Sequence, residues 1–264
     1  MNRKLIVVAD DFGFSEAYNY GVIKAYREGI VTVLSLMSNM EAASHAISLA
    51  KEFPEVNLSQ HTNFVQGSPI SKNVPSLTNS NGEFYRSSEW KSEYLNDSKC
   101  TGNISPTYED CKIETYAQLN RFKELTGNYP NHFEGHSVMT KNVIKAFQEI
   151  SSELKIHAMG MPEVETDEMY AAHELGFDVT NYVDILNKGI QVEDFINDRF
   201  QLLKSKYEIN ILHFHPGFLD QYLLDNTSLT YPRCRDLETL CDPRVRTWLH
   251  ENNIELVDFK AVYK

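Results

Sequence analysis

Short apolar runs alternate with stretches of helical period along most of the chain. Residues 5–9 (LIVVA) are apolar at every position, the pattern of a strand buried on both faces in a parallel sheet. Asp10-Asp11-Phe12-Gly13 ends that run, and Ser15 stands where a helix N-cap belongs. Tyr18, Val22, Ala25 and Tyr26 then recur at helical spacing until Gly29 stops them. The same reading predicts strands over 31–37, 56–63, 132–136, 155–160, 209–214 and 254–259. Helices are predicted over 41–53, 108–127, 143–154, 192–203 and 244–252. About seven βα units favour an α/β fold, a distorted βα barrel of the TIM type, with a doubly wound open sheet as the alternative. Residues 66–107 break the rhythm with Gly, Ser, Pro and Asn, so 1–264 reads as one domain carrying a lid or flap insertion at 66–107.

Composition narrows the function classes. With 25 Lys and Arg against 37 Asp and Glu, the net charge is −12. That balance lacks the basic footprint that nucleic acid or an anionic membrane surface requires. No apolar run approaches the roughly 20 residues of a spanning helix. The N-terminus lacks the apolar core of a signal peptide, so a cytoplasmic location is expected. Cys100, Cys111, Cys234 and Cys241 form no CxxC pair and are expected to be free thiols. No serine-hydrolase elbow, dinucleotide fingerprint or P-loop is present.

The chemistry-bearing residues stand at predicted strand ends: Asp10 and Asp11, His61, then His132, Glu134 and His136, then His213 and His215. In a βα barrel those ends meet at one mouth. Imidazoles and carboxylates converging there, with a coordination position left open, are what a catalytic divalent metal needs. Each residue also has a plain structural reading. Asp-Asp-Phe-Gly can be a turn that caps a helix, and a lone strand histidine can be a hydrogen-bonded core residue. Residues 132, 134 and 136 share one strand face. His45, His173 and His250 fall on helix faces, and His157 is left open.

Five ordered motifs carry a further resemblance: Ala9-Asp10-Asp11-Phe12-Gly13-Phe14-Ser15, Gln60-His61-Thr62-Asn63, His132-Phe133-Glu134-Gly135-His136, His215-Pro216-Gly217-Phe218-Leu219-Asp220 and Arg235-Asp236-Leu237-Glu238. Over nearly its whole length the sequence resembles the YdjC-like carbohydrate deacetylases, which include chitooligosaccharide deacetylases. The resemblance implies a distorted βα barrel related to the NodB-type polysaccharide deacetylases. It implies a metal-dependent hydrolase that removes N-acetyl groups from a small acetylated oligosaccharide, with a metal-activated water as nucleophile. Asp11, His61 and His136 would bind one divalent ion. Asp10 would be the general base, and His215 would protonate the leaving amine or steady the oxyanion. Magnesium is the usual family metal, and zinc, cobalt or manganese suit the same donors. Glu134-Gly135 departs from the family's usual Asp-Ser.

Asn63, Arg233 and Arg235 are candidate substrate contacts. The two arginines are expected to clamp a phosphate or carboxylate on the sugar, against the plainer reading that Arg235 pairs with Glu238. Phe84, Tyr85, Trp90, Tyr94, Phe218, Tyr222 and Tyr231 are candidate faces for sugar rings. The expected partner is a small sugar, with no nucleic acid and no membrane, and a homodimer is an open option. Two alternatives keep the barrel: a metal-dependent sugar isomerase or phosphoesterase, and a non-catalytic sugar-binding relative.

Overall fold

The computed structural model describes residues 3–93, 100–158, 169–171, 185 and 187–262. Strand β1 (Arg3–Phe12) leads into α1 (Glu16–Glu28), β2 (Val33–Leu36), α2 (Ala43–Ala50) and β3 (Asn57–Thr62). After the 66–107 segment come α3 (Tyr108–Thr126), β4 (His132–Gly135), α4 (Lys141–Leu154) and β5 (His157–Ala158). The chain finishes with β6 (Met169–Ala171), α5 (Val192–Ile196), β7 (Ile209–Phe214), α6 (Gln221–Asn226), α7 (Tyr231–Leu240), α8 (Pro243–Glu251) and β8 (Ile254–Leu256).

Every pairing among these described strands is parallel, in the order β5-β4-β3-β2-β1-β7-β6, with β8 also on β1. Strand β7 takes one edge of β1 along Lys4–Ala9, and β8 and β2 share the other edge at its two ends. Among the described residues β5 and β6 close the list without pairing each other, so the sheet is a curled barrel left open there. The β1 run is apolar throughout because both of its faces are covered. Leu5, Val7 and Ala9 pack outward under the helices with Leu34, Leu212 and Phe214. Ile6 and Val8 pack inward with Val33, Ile209, Ile211 and Phe259.

The inward face changes character on β2, β3 and β4. Ser35, Ser59, His61, His132 and Glu134 occupy the alternating inner positions there, and all are buried. The interior is therefore apolar beside most of β1 and β7, up to Asp10 and His213 near their ends, and polar beside β3 and β4.

Several predicted elements end early for visible reasons. The helix expected over 192–203 stops at Ile196 because Asp198 and Gln201 take left-handed φ values, and the Asp198 carboxylate caps Leu202 N and Leu203 N. The strand expected over 254–259 stops at Leu256, and Asp258 caps a short 3₁₀ turn over Phe259–Ala261. Helix α6, with Asp220 as its N-cap, and strand β6 were not expected. Of the strand expected over 155–160, positions 159–160 lie outside the described residues, as does His173.

The 66–107 segment contributes a second core. Val74, Leu77, Phe84 and Trp90 pack with Leu119 of α3, Phe133 of β4 and Phe147 of α4. Phe84 and Trp90 are thus core residues, not sugar faces, and the Trp90 indole donates to Tyr85 O at 3.3 Å. Tyr94 lies outside the described residues. The four cysteines are free thiols. Among the described residues no helix is long and apolar enough to cross a membrane.

Candidate metal centre

In a regular strand Asp10 and Asp11 would point to opposite faces. Here Asp11 takes φ +63°, and the β1–β2 register slips between Ala9 and Phe12. That irregularity turns both carboxylates toward the mouth, at a conformational cost of about 1–2 kcal/mol for a non-glycine residue. The turn is held from outside. Gly13 N donates to Asn19 Oδ1 at 2.7 Å, Phe14 N to Asp11 O at 3.0 Å, and the Tyr18 hydroxyl to Asp10 O at 2.8 Å.

Three donor atoms from three strand ends form a small triangle. Asp11 Oδ1 lies 2.9 Å from His136 Nδ1 and 3.3 Å from His61 Nε2, and the two imidazole nitrogens are 3.1 Å apart. Metal–ligand bonds of about 2.0–2.2 Å at right angles place donors about 3 Å apart, so the triangle fits one face of a divalent cation's coordination shell. Asp11 is fully buried, and its Oδ1 is aligned with neither imidazole as a hydrogen-bond acceptor. Burial alone would push the Asp11 carboxyl up, but His136, Arg233 and His61 outweigh it and hold it well below the usual range. Burial would likewise lower His61, but the carboxylates of Asp10, Asp11 and Glu134 raise it to about 10. The pocket therefore favours a positive charge at this point, which a cation supplies when it displaces that proton.

Glu134 sits beneath His61 on the neighbouring strand, in register with it. Its Oε1 accepts from the hydroxyls of Ser35 and Ser59 and lies 3.7 Å from His61 Nδ1. Its Oε2 is 2.9 Å from His132 Nε2, and His132 stacks on Phe259. Burial opposes the charge on Glu134, yet His132 and His61 hold its carboxyl well below the ordinary range. A carboxylate facing Nδ1 places that atom's proton toward Glu134 and leaves the Nε2 lone pair for the centre.

Asp10 faces a different partner, with Oδ1 3.1 Å from His213 Nδ1. Burial works against a proton on His213, but Asp10 and Glu134 raise its pKa above the ordinary value. The backbone N–H of His215 donates to Asp236 Oδ2 at 2.9 Å, and Ile190 N donates to the other oxygen of the same carboxylate at 2.9 Å. Burial lowers the His215 imidazole to about 4, so it is neutral at neutral pH.

The three expected substrate contacts take other roles. Asn63 is fully buried: its Oδ1 accepts from Val65 N and Gln66 N, and its Nδ2 donates to Asn39 Oδ1 and Gln66 O. It shapes the chain leaving β3 and has no donor left for a sugar. Arg233 and Arg235 do not form a clamp, because residues two apart on α7 point to different sides of the helix. Arg233 is 2% exposed and donates to Asp11 Oδ2 at 2.7 Å. Arg235 donates to Lys188 O at 2.9 Å, which also replaces the pairing with Glu238.

Ser35, Ser59 and Asp236 gain no role from the sequence, whereas His213 and Glu134 stand there among the converging chemistry-bearing residues. The period-2 alternation places His213 and Glu134 on the inner face, but their partners Asp10, His61, Ser35 and Ser59 are distant in sequence.

A model of the family described as YdjC-like protein matches residues 4–251. A carbohydrate deacetylase of Clostridium beijerinckii is 32% identical over 98% of this chain and 100% of its own length. In structure, the chain is similar to a putative cellobiose-phosphate cleavage protein of Enterococcus faecalis, with TM-score 0.80, 23% identity and 100% of both chains covered. It also shares its fold with a peptidoglycan N-acetylglucosamine deacetylase, with TM-score 0.52, 11% identity, and 99% and 89% of the two chains covered. The expected kinship with polysaccharide deacetylases is thus present in the fold. The match over residues 4–251 and the 32% identity over nearly full length make this chain a member of the YdjC-like family.

Proposed function

We propose that the protein hydrolyses the N-acetyl group of a small acetylated sugar at a single divalent cation held by Asp11, His61 and His136. The observation that carries the reading is the convergence of Asp11 Oδ1, His61 Nε2 and His136 Nδ1 within 3.3 Å of one another. The carbohydrate deacetylase that matches it over 98% of the chain points to the same chemistry. When bound, the cation supplies a Lewis acid that polarises the acyl oxygen and activates a water. Two imidazoles and a carboxylate suit zinc, cobalt or manganese as well as magnesium.

The rest falls to the chain's own groups. Asp10 is the carboxylate beside the donor triangle that is not committed to it, and it accepts the attacking water's proton. His213 Nδ1, against Asp10 Oδ1, fixes how that carboxylate faces. His215 enters the reaction neutral, so its N–H steadies the developing oxyanion. The proton that the leaving nitrogen needs is then the one Asp10 has taken from water. Phe218 and Tyr222 follow His215 closely and are each 42% exposed, offering apolar faces for sugar C–H surfaces at the mouth. A phosphate clamp forms no part of this reading, since Arg233 is buried on Asp11.

The test is acetate release from N-acetylated chitooligosaccharides, with and without a chelator. Release that stops on chelation and returns with added divalent metal is expected. No release from any such substrate by the metal-loaded protein would refute the reading.

A further inference from the structure

The two oxygens of Asp11 have separate partners. Oδ1 faces His61 and His136, whereas Oδ2 takes the Arg233 Nη2 hydrogen bond at 2.7 Å. Arg233 is held through Nη2 and Nε, while its buried Nη1 makes no hydrogen bond among the described residues. Its Nε donates to Leu229 O at 2.7 Å, and its guanidinium lies 4.8 Å from the Tyr18 ring centre and 5.5 Å from that of Phe14. An arginine buried this deeply is costly unless its charge is answered, and among its described contacts the answering carboxylate is Asp11.

We propose that Arg233 is a positioning residue for the cation: by occupying Asp11 Oδ2 it limits Asp11 to one bond through Oδ1 and offsets that carboxylate's charge. The inference rests on the reading of Asp11 as a cation ligand. A carboxylate shared with a guanidinium gives less negative charge to a metal than a free one. The two histidines are neutral when they ligate, so the centre keeps most of its positive charge for the substrate's acyl oxygen. The consequence is opposite in sign to a purely structural role. If Arg233 only propped Asp11 in its left-handed conformation, losing it would loosen the cation. If it restrains Asp11, losing it frees Oδ2 for a second bond and tightens the cation.

The experiment uses the full chain stripped of metal and titrated with Co²⁺ by calorimetry, as wild type, Arg233→Met and Arg233→Lys. Methionine is neutral, unbranched and compatible with the Phe14 and Tyr18 rings. Arg233→Met should bind Co²⁺ at least ten-fold tighter than wild type while kcat for acetate release falls. Its thermal midpoint should rise more on adding Co²⁺ than that of wild type. Arg233→Lys keeps the charge and should stay within about three-fold of wild type. Unchanged or weaker binding by Arg233→Met overturns the proposal. Should that variant fail to fold, a ten-fold change in either direction for Arg233→Lys overturns it. If wild type takes up no Co²⁺, the cation reading itself fails and this one with it. If wild type binds and Arg233→Met binds no tighter, this inference alone fails.

Discussion

Glu134→Gln isolates what the charge beneath His61 contributes. The substitution keeps the shape and one carbonyl oxygen, so the Ser35 and Ser59 hydroxyls can still donate to it. The other oxygen becomes an NH₂ group, set where Oε2 now lies 2.9 Å from His132 Nε2. His132 must then change tautomer or lose that contact. Hydrogen bonds to a charged group are worth about 1.5–3 kcal/mol against roughly 0.5–1.5 for neutral ones. Weakening the set from charged to neutral should therefore cost about 2 kcal/mol, or about 4–8 °C in Tm for a chain of this size. His61 feels the change as well, because no carboxylate then faces Nδ1 at 3.7 Å to fix the tautomer that frees Nε2. Losing such a partner typically weakens metal binding by about 10- to 100-fold. The assay is calorimetric titration of the metal-stripped protein with Zn²⁺, alongside thermal melting. Zinc affinity within two-fold of wild type would show that Glu134 does not orient His61. Glu134→Asp keeps the charge but withdraws it by about one bond length, about 1.5 Å. It should retain more of the affinity than Glu134→Gln does.

Asp10→Asn should keep the cation and lower kcat by roughly 10²- to 10⁴-fold, because an amide cannot take the water's proton; wild-type turnover would remove Asp10 from that role. Gly217→Ala should destabilise the protein by about 1–3 kcal/mol, since a Cβ there would lie 1.9 Å from the Tyr18 ring, and an unchanged urea midpoint would contradict that packing. Burial raises the Asp236 carboxyl to about 7, against 3.8 ordinarily, so the folded state holds this proton more tightly than the unfolded one. Its contribution to stability is full below pH 3.8 and is lost as pH rises through 7; Asp236→Asn should flatten that part of the profile, and equal urea-midpoint slopes from pH 5.5 to 8 in both proteins would refute it.

The βα rhythm was legible because each strand carries local information. Leu5 to Ala9 could only be a doubly buried strand, and Ser15, Gly29 and Gly127 mark helix ends by chemistry that acts within a few residues. The convergence of Asp10, Asp11, His61 and His136 was legible because barrel topology turns strand ends into neighbours. The partners of those residues were not. Ser35 and Glu134 are 99 positions apart, and Asp11 and Arg233 are 222 apart. Arg233 read as an exposed clamp because a two-residue spacing suggests a pair, until a helix sends the two side chains to different sides. Asn63 read as a sugar contact because its motif resembles a strand end at a mouth. The turn over residues 63–66 and Asn39 together take the hydrogen bonds of its side-chain amide. Trp90 lay in a segment whose composition suggested a flap, yet its ring is fully buried in the second core.

Two adjacent aspartates can hold different duties only if their surroundings differ, and the backbone at Asp11 creates that difference. An extended residue there would carry Asp11 to the outer, helix-covered face, where β1 presents Val7 and Ala9. The left-handed turn instead places Asp11 between an arginine and two imidazoles, and leaves Asp10 beside His213. The first carboxylate is fully committed and sealed from solvent, which suits a ligand that must stay ionised. The second lies against the His213 imidazole, which suits a group that must take and return a proton. Exchanging the roles would require moving the turn by one residue, which would also shift the Gly13–Asn19 and Phe14–Asp11 bonds that hold it. The different surroundings of the two aspartates therefore follow from one φ angle and the helix that braces it, more than from the identity of two like side chains.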